Sequence, residues 1–113
     1  MNIQIFGTKK SFDTKKAQRY FKERRIKFQF IDLKEKGMSK GELESVMCCV
    51  GGIDGVLDPD AKDQDMVALI TYLAQSQKLE KLLENQQVLR EPIVRNGRQA
   101  TVGYQPDVWK GWE

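Results

Sequence analysis

Residues 2–33 read NIQIFGTKKSFDTKKAQRYFKERRIKFQFIDL, and the prediction of the fold begins with this stretch. In residues 2–6 isoleucines alternate with polar residues, which predicts a short buried strand. Residues 12 to about 24 have the apolar spacing of an amphipathic helix, and Ser11 before them is a natural N-cap. Residues 27–33 are rich in aromatic and branched side chains and predict a second strand. Because the connections are short, the two strands should be parallel in a β-α-β unit.

The middle of the chain is predicted to be helical. Ser39 is followed three residues later by Glu42, which is the pattern of a capping box at the start of a helix. Gly51-Gly52 should end that helix. Amphipathic spacing then predicts a helix over residues 63–75 and a shorter one around residues 79–83.

The last part of the chain predicts a β-hairpin and one more helix. Asn96-Gly97 lies between two strand-like runs and predicts a two-residue turn of type I′. Pro106 follows, in the first turn of a helix that carries Trp109 and Trp112. We expect the two tryptophans to pack this helix against the sheet.

Length and composition place limits on both fold and function. The chain has 113 residues, of which 40% are hydrophobic and 31% charged, as expected for one folded domain with its own core. No apolar run is long enough to cross a membrane. The sequence contains no histidine, which excludes Ser-His and Cys-His catalysis and imidazole metal ligands. No metal site and no bound cofactor are predicted.

The two cysteines are neighbours, Cys48 and Cys49, and therefore cannot form a CxxC pair. Successive helical side chains point about 100° apart, so a dithiol site is not expected there. We expect at least one of the two to be a buried structural thiol. Reduced cysteines of this kind predict a cytoplasmic protein.

Positive charge is concentrated at one place in the chain. Residues 9–27 contain nine of the 19 basic residues and only two acidic ones, Asp13 and Glu23. This asymmetry predicts a surface that attracts anions, or simply a solvated helix face. Because the basic residues are not interleaved with exposed aromatic ones and no nucleic-acid motif is present, direct nucleic-acid binding is not expected.

Two separated motifs resemble one known family. Residues 5–17, IFGTKKSFDTKKA, resemble the active-site turn of the arsenate reductase (ArsC)/Spx/YffB-like family, in which a strand and a small turn lead into the first helix. Residues 92–97, PIVRNG, followed by Val-Gly-Tyr at 102–104, resemble the family's late hairpin. The resemblance implies an α/β fold, with a thioredoxin-like βαβ…ββα sheet and a helical insert. The single domain would comprise a βαβ unit (1–34), the insert (39–86), and the hairpin with the C-terminal helix (91–113).

The same resemblance implies a site at the start of the first helix. The family's reactive cysteine falls at Ser11, and the second cysteine of CxxC-bearing members falls at Thr14. Lys10 and Lys15 would help to hold an oxyanion or the carboxylates of glutathione, since helix N-termini attract anions. Glutathione would be a co-substrate, and a glutaredoxin or thioredoxin would be a protein partner.

Serine at position 11 changes the chemistry that the residues can support. A helix N-terminus and nearby cations lower the pKa of a thiol, whereas a serine hydroxyl ionises far too high for the same surroundings to produce an alkoxide. Ser11 is therefore expected to cap the helix and not to act as a nucleophile. Two interpretations are open: a naturally degenerate family member, or a cysteine replaced by serine.

The hairpin also departs from the family's pattern. The arginine that would precede the hairpin proline and hold the oxyanion is replaced by Glu91. Arg90 lies one residue earlier, and Arg95 lies within the hairpin, so both are candidates for substrate binding. The resemblance further implies that Pro92 is a cis proline beside the active turn, where it would form the wall against which a substrate pairs.

Three functions are compatible with these residues. The first is a thiol-dependent reductase of the arsenate reductase-like or glutaredoxin-like type, acting on a small oxyanion or a thiol/disulfide substrate. Because serine occupies the nucleophile position, such a reductase would be inactive in this chain. The second is an Spx-like, non-enzymatic regulator that binds the RNA polymerase alpha subunit, for which Gly51 or Gly52 would be the docking glycine. The third is a binding domain that retains only the anion site.

Overall fold

The computed structural model describes residues 1–113. Its secondary structure is strand, helix, strand at the beginning, helical in the middle, and strand, strand, helix at the end. The elements are β1 (Ile3–Gly7), α1 (Phe12–Glu23), β2 (Phe28–Asp32), α2 (Lys40–Val50), α3 (Ile53–Val56), α4 (Gln64–Tyr72), α5 (Gln75–Glu84), a 3-10 turn (Gln86–Val88), β3 (Ile93–Asn96), β4 (Gln99–Val102) and α6 (Pro106–Lys110). The predicted order of a β-α-β unit, a helical block, a hairpin and a terminal helix is confirmed.

One mixed sheet of four strands forms the centre of the molecule, in the order β2-β1-β3-β4. β1 pairs in parallel with β2, as the short β-α-β connection predicts. β3 runs antiparallel to β1 and pairs with β4 in the hairpin. In the β1–β3 register Phe6 lies opposite Ile93, so the chain entering β3 passes beside the chain leaving β1.

Local sequence signals define the helix ends. The Ser39 side chain accepts a hydrogen bond from the Glu42 N–H while the Glu42 side chain accepts one from the Ser39 N–H, so the predicted capping box is present. Gly51 ends α2 in the left-handed conformation, with φ of 84°, which a side chain with a Cβ atom disfavours. Asp63 caps α4, and Pro106 occupies the first turn of α6.

Both faces of the sheet are covered. The insert helices and the 3-10 turn pack on one face around Phe6, Ile93 and Leu43. On the other face α1 and α6 enclose a smaller cluster that includes Phe21 and the fully buried Trp109. The Trp109 indole N–H donates to the Thr101 hydroxyl at 2.8 Å, and Trp112 packs at the edge of the same cluster. The expected packing of the last helix on the sheet is confirmed.

The hairpin turn differs from the sequence prediction. Asn96 pairs with Gln99 in the ladder, so the two central turn residues are Gly97 and Arg98, not Asn96 and Gly97. Of these two, only Gly97 has a positive φ, at 61°. That is the pattern of a type II′ turn, with glycine at the first central position, and the type I′ prediction was wrong.

The expectation of a buried cysteine was also wrong, because both Cys48 and Cys49 are exposed. The buried side of α2 is defined by Leu43 and Val46, and the helical repeat places the two cysteines on the other side. The Cys49 thiol contacts the Arg98 carbonyl oxygen at 3.1 Å.

Smaller differences concern the insert. The helix predicted over residues 63–75 is shorter, spanning Gln64–Tyr72, and α5 begins three residues later. α3 and the 3-10 turn were not predicted, because elements of three or four residues are too short to show a helical period. None of the helices is long and apolar enough to cross a membrane.

Candidate functional site

The turn between β1 and α1 carries the residues that the sequence singled out. Ser11 has an extended backbone conformation, and its Oγ accepts a hydrogen bond from the Thr14 N–H at 3.2 Å. The Ser11 N–H donates to the Thr8 carbonyl oxygen at 3.3 Å, which closes the turn. Ser11 is therefore the N-cap of α1, as expected from its residue type.

A carboxylate from the far end of the chain is bound in this turn. Glu91 Oε1 accepts hydrogen bonds from the Thr8 backbone N–H at 2.6 Å and from the Thr8 hydroxyl at 3.0 Å. The same oxygen accepts a third hydrogen bond from the Thr14 hydroxyl at 3.1 Å. Continuing the antiparallel register of Phe6 and Ile93 by two residues brings Thr8 opposite Glu91. The pairing of β3 with β1 therefore places the Glu91 carboxylate beside the turn.

Thr14 reaches the carboxylate because Gly7 has no side chain. Thr14 is fully buried, and a Cβ atom added to Gly7 would lie 2.8 Å from Thr14 Cγ2 and even nearer to its hydroxyl. Real Cβ atoms do not make contacts this short. Gly7, at the end of β1, is therefore required for the close approach of α1 to the sheet at this point.

The turn opens into a cleft of about 770 Å³ between it and the helical insert. Thr8, Lys10, Ser11 and Glu91 line the cleft on the side of the turn. Loops and helix ends of the insert form the opposite wall, through Asp58, Asp60, Ala61, Lys62, Asp63, Leu83, Glu84, Gln86, Gln87 and Leu89. Ser11 thus lies at the boundary between a helix N-terminus and this cleft.

Pro92 follows Glu91 directly, and the peptide bond between them is cis. Pro92 is buried, and its carbonyl oxygen accepts a hydrogen bond from the Gly103 N–H at 2.8 Å. The β1–β3 register places Pro92 opposite Gly7, one position from the turn. The cis bond that the resemblance implied for this proline is present.

The structure separates the cations that the sequence suggested for anion binding. Lys10 lines the cleft, whereas Lys15 lines a shallow surface hollow together with Arg19 and Lys22. The Arg90 Nε donates to the Leu57 carbonyl oxygen at 3.1 Å.

Arg95 is also engaged away from the turn. Its Nη1 donates to the Gln4 side-chain oxygen at 2.8 Å and lies 3.6 Å from the Glu42 carboxylate. Neither Arg90 nor Arg95 lines the cleft. Lys10 is thus the one cation among these candidates that faces the turn's cleft.

The basic segment forms an exposed surface on and around α1. All nine basic residues between Lys9 and Lys27 are exposed. Among them only Arg24 has a carboxylate within 4.0 Å, that of Glu113, at 3.9 Å. Arg24 also stacks on the Tyr20 ring, with its guanidinium carbon 3.7 Å from the ring centroid. The charge asymmetry of the sequence is therefore a real surface feature on and around α1, and of these nine residues only Lys10 also lines the cleft.

Two residues of the site were not predicted from the sequence: Thr8, which donates hydrogen bonds in the turn, and Glu91, which accepts them. In the sequence alone, Glu91 shows only as a departure from the family's arginine. Its contact with Thr8 spans 83 residues of chain, so no local pattern predicts it. The signal available was the register of the predicted strands, because an antiparallel β1–β3 pair that matches Phe6 with Ile93 places residues 8 and 91 together.

Comparison with solved structures defines the class. The chain aligns with the YFFB (PA3664) protein at a TM-score of 0.82 and 22% identity, covering 96% of each chain. It aligns with an arsenate reductase from Vibrio cholerae at a TM-score of 0.81 and 19% identity, covering 96% of this chain and 94% of that one. An ArsC family related protein from Bacteroides fragilis aligns at 0.83 and 15% identity, over 100% and 98% of the two chains. A comparison with curated proteins finds no significant match.

These likenesses and the mixed sheet define a thioredoxin-like α/β protein with a helical insert. The sequence itself matches the model of the ArsC family over residues 6–112. The chain therefore belongs to the ArsC family, as its two motifs suggested.

Proposed function

We propose that the turn at Ser11 is a thiol-dependent reductase site of the arsenate reductase-like or glutaredoxin-like type that is silent in this chain because serine occupies the nucleophile position. The observation that carries the proposal is the position of Ser11, which caps α1 at the mouth of the cleft and lies in the turn beside Pro92. Thr14, one helical turn further on, occupies the place of a second cysteine.

The chemistry follows from the position of the side chain. A thiol at a helix N-terminus ionises readily, and the thiolate attacks one sulfur of a disulfide, expelling the other sulfur as a thiolate. The Ser11 hydroxyl has no histidine to remove its proton, since the chain contains none. Its Oγ instead accepts the Thr14 N–H, which is the role of a cap. A substrate that entered the cleft would be bound and not reduced.

The test replaces the missing sulfur. Ser11→Cys should form a mixed disulfide with glutathione at residue 11 and should reduce a disulfide substrate in a glutathione-coupled assay, whereas the parent should do neither. Ser39→Cys is the matched control, because Ser39 also caps a helix but lies outside the cleft.

Mass spectrometry of peptides separates the engineered thiol from Cys48 and Cys49, which are exposed and present in every variant. If Ser11→Cys reacts no faster than Ser39→Cys, the turn is not a reductase site. Coupling to a glutaredoxin or thioredoxin would be tested with the same variant, by adding each protein to the assay. The site of action that we propose is the cytoplasm, whose reducing conditions suit two free, exposed thiols.

A second candidate is an Spx-like regulator that binds the RNA polymerase alpha subunit. The observation that favours it is the corner Gly51-Gly52 after α2, where an added Cβ atom would meet nothing within 4 Å. Two adjacent glycines in open space leave the backbone accessible to a partner. Calorimetry should test whether the parent binds the alpha subunit. Saturable binding that Gly52→Ala weakens would favour the regulator. If no binding is found, the silent reductase site remains the proposed function.

A further inference from the structure

The carboxylate of Glu91 is bound by donors of the turn that leads into α1, next to the helix N-terminus where an external anion would ordinarily bind. Three donors from Thr8 and Thr14 converge on its Oε1 atom, and Oε2 lies 3.2 Å from the Thr8 hydroxyl. Hydrogen bonds to an ionised acceptor are stronger than those between neutral groups. The turn therefore already holds a negatively charged group, supplied by its own chain.

No cation neutralises this carboxylate. The ion pairs of the structure are Arg24–Glu113, Lys81–Glu84 and Arg95–Glu42, and none of them includes Glu91. Lys10 lines the same cleft but lies more than 4.0 Å from any carboxylate oxygen. The negative charge of Glu91 is thus stabilised by hydrogen bonds and still repels a second anion.

The rest of the cleft does not compensate for that charge. Its lining carries three lysines against five carboxylates, and the members are Lys10, Lys34, Lys62, Asp58, Asp60, Asp63, Glu84 and Glu91. A cleft lined by one excess sign of charge lowers the local concentration of ligands of the same sign. An oxyanion approaching the turn meets this excess of negative charge, and the Thr8 N–H and the Thr8 and Thr14 hydroxyls already donate to Glu91.

We propose that Glu91 is an internal carboxylate ligand of the turn that closes it to small oxyanions such as arsenate and sulfate, so that the substrate class of the site is a disulfide and not an oxyanion. This inference rests on the proposed location of the ligand site at the Ser11 turn. It does not depend on any reaction at Ser11, because it concerns which ligands can enter. Glu91 is accordingly a specificity-determining residue.

The experiment is an anion titration followed by the backbone amide resonances of Thr8, Ser11 and Thr14. Arsenate and sulfate are added to the serine-bearing parent, to Glu91→Ala and to Glu91→Gln at constant ionic strength. The parent should show no saturable shift at these amides. Glu91→Ala and Glu91→Gln should bind arsenate and sulfate at least ten-fold more tightly than the parent does, which corresponds to about 1.4 kcal/mol.

Glu84→Gln is the matched control, because it removes the same charge from the same cleft without touching the turn. The inference is overturned if the parent binds arsenate as tightly as the Glu91 variants, if neither variant gains binding, or if Glu84→Gln gains as much. Glu91→Gln preserves the size of the side chain, so it remains informative if Glu91→Ala does not fold, as judged from its amide spectrum.

The two proposals fail separately. If Ser11→Cys is inert but the Glu91 variants gain anion binding, the reductase assignment fails and the ligand selectivity stands. If Ser11→Cys reduces disulfides but the Glu91 variants bind no anion, the reductase site stands and the role of Glu91 is wrong.

Discussion

Replacing Gly7 with alanine tests whether the close approach of α1 to the sheet holds the site together. The new Cβ atom would lie 2.8 Å from Thr14 Cγ2 and nearer still to the hydroxyl that donates to Glu91. Thr14 is fully buried and branched at Cβ, so it has little freedom to turn away. We therefore expect Gly7→Ala to move α1 and to weaken the bond between Thr14 and Glu91.

Two opposing effects set the size of the change. Overpacking a buried position costs about 1–3 kcal/mol, and the two short contacts at this position place Gly7→Ala in the upper half of that range. Alanine also restricts the unfolded chain, which stabilises the folded state by about 0.4–1 kcal/mol. The expected net loss in the free energy of unfolding is roughly 1–2.5 kcal/mol. With a urea dependence of about 1.5 kcal/mol per molar, the unfolding midpoint should fall by about 1 M.

Gly41→Ala is the matched control. Gly41 lies in the first turn of α2, and an added Cβ atom would meet nothing within 4 Å. The same substitution should therefore raise the free energy of unfolding there, by about 0.5–1 kcal/mol. Opposite signs at the two glycines would separate the steric effect from the general effect of alanine.

A double-mutant cycle then locates the clash. In Gly7→Ala/Thr14→Ala both branches of the threonine are gone, so the double variant should lose less stability than the sum of the single variants. If Gly7→Ala is as stable as Gly41→Ala in urea, or if the two substitutions at positions 7 and 14 are additive, the close contact does not govern this part of the fold.

Two further predictions concern the aromatic cluster on the other face of the sheet. Trp109→Phe should lower the free energy of unfolding, measured in urea, by about 2–4 kcal/mol, because it leaves a cavity and a buried Thr101 hydroxyl without its donor. Trp112→Phe, at the edge of the cluster, should lower it by less than about 1 kcal/mol. Equal losses for the two variants would contradict the packing described above. Burial, and secondarily the Glu113 carboxylate, raises the pKa of Tyr20 from its ordinary 10.0, against the opposing effect of Arg24. The unfolded chain therefore releases the Tyr20 hydroxyl proton at a lower pH than the folded chain does. The contribution of Tyr20 to the free energy of unfolding should be fully present below about pH 10 and should be lost as the pH rises through the folded-state pKa. Tyr20→Phe should make the free energy of unfolding less dependent on pH in this range, and an unchanged slope would exclude Tyr20 as the cause.

The elements of this fold were largely predictable because their signals are local. The capping box at Ser39 and Glu42, the glycines that end α2 and the proline that opens α6 act over one helical turn. The order of strands and helices could be predicted because the spacing of apolar residues changes along the chain between the alternation of a strand and the spacing of a helix. Where the prediction was wrong, at the hairpin turn, the ladder pairing of Asn96 with Gln99 shifted the turn by one residue, and pairing is not a local property.

The site was predictable only in part, for the same reason. Ser11 as a cap, the turn before it and Pro92 beside it followed from residue types and from the resemblance of two motifs. Arg90 and Arg95 looked like anion ligands in sequence, but their side chains are engaged with Leu57 and Gln4, on other parts of the molecule. A sequence shows which side chains carry charge and does not show which way they point.

The thioredoxin-like order of elements, the family and the absence of a thiol at position 11 follow from the amino-acid sequence, since these depend on residue type and short-range spacing. The contact of Glu91 with the turn is visible only in the tertiary structure. That contact joins residues 83 positions apart and exists because β3 pairs antiparallel with β1 in one register. A shift of that register would leave the same residues in the sequence and would remove the carboxylate from the site, because strand pairing alone brings Thr8 and Glu91 together.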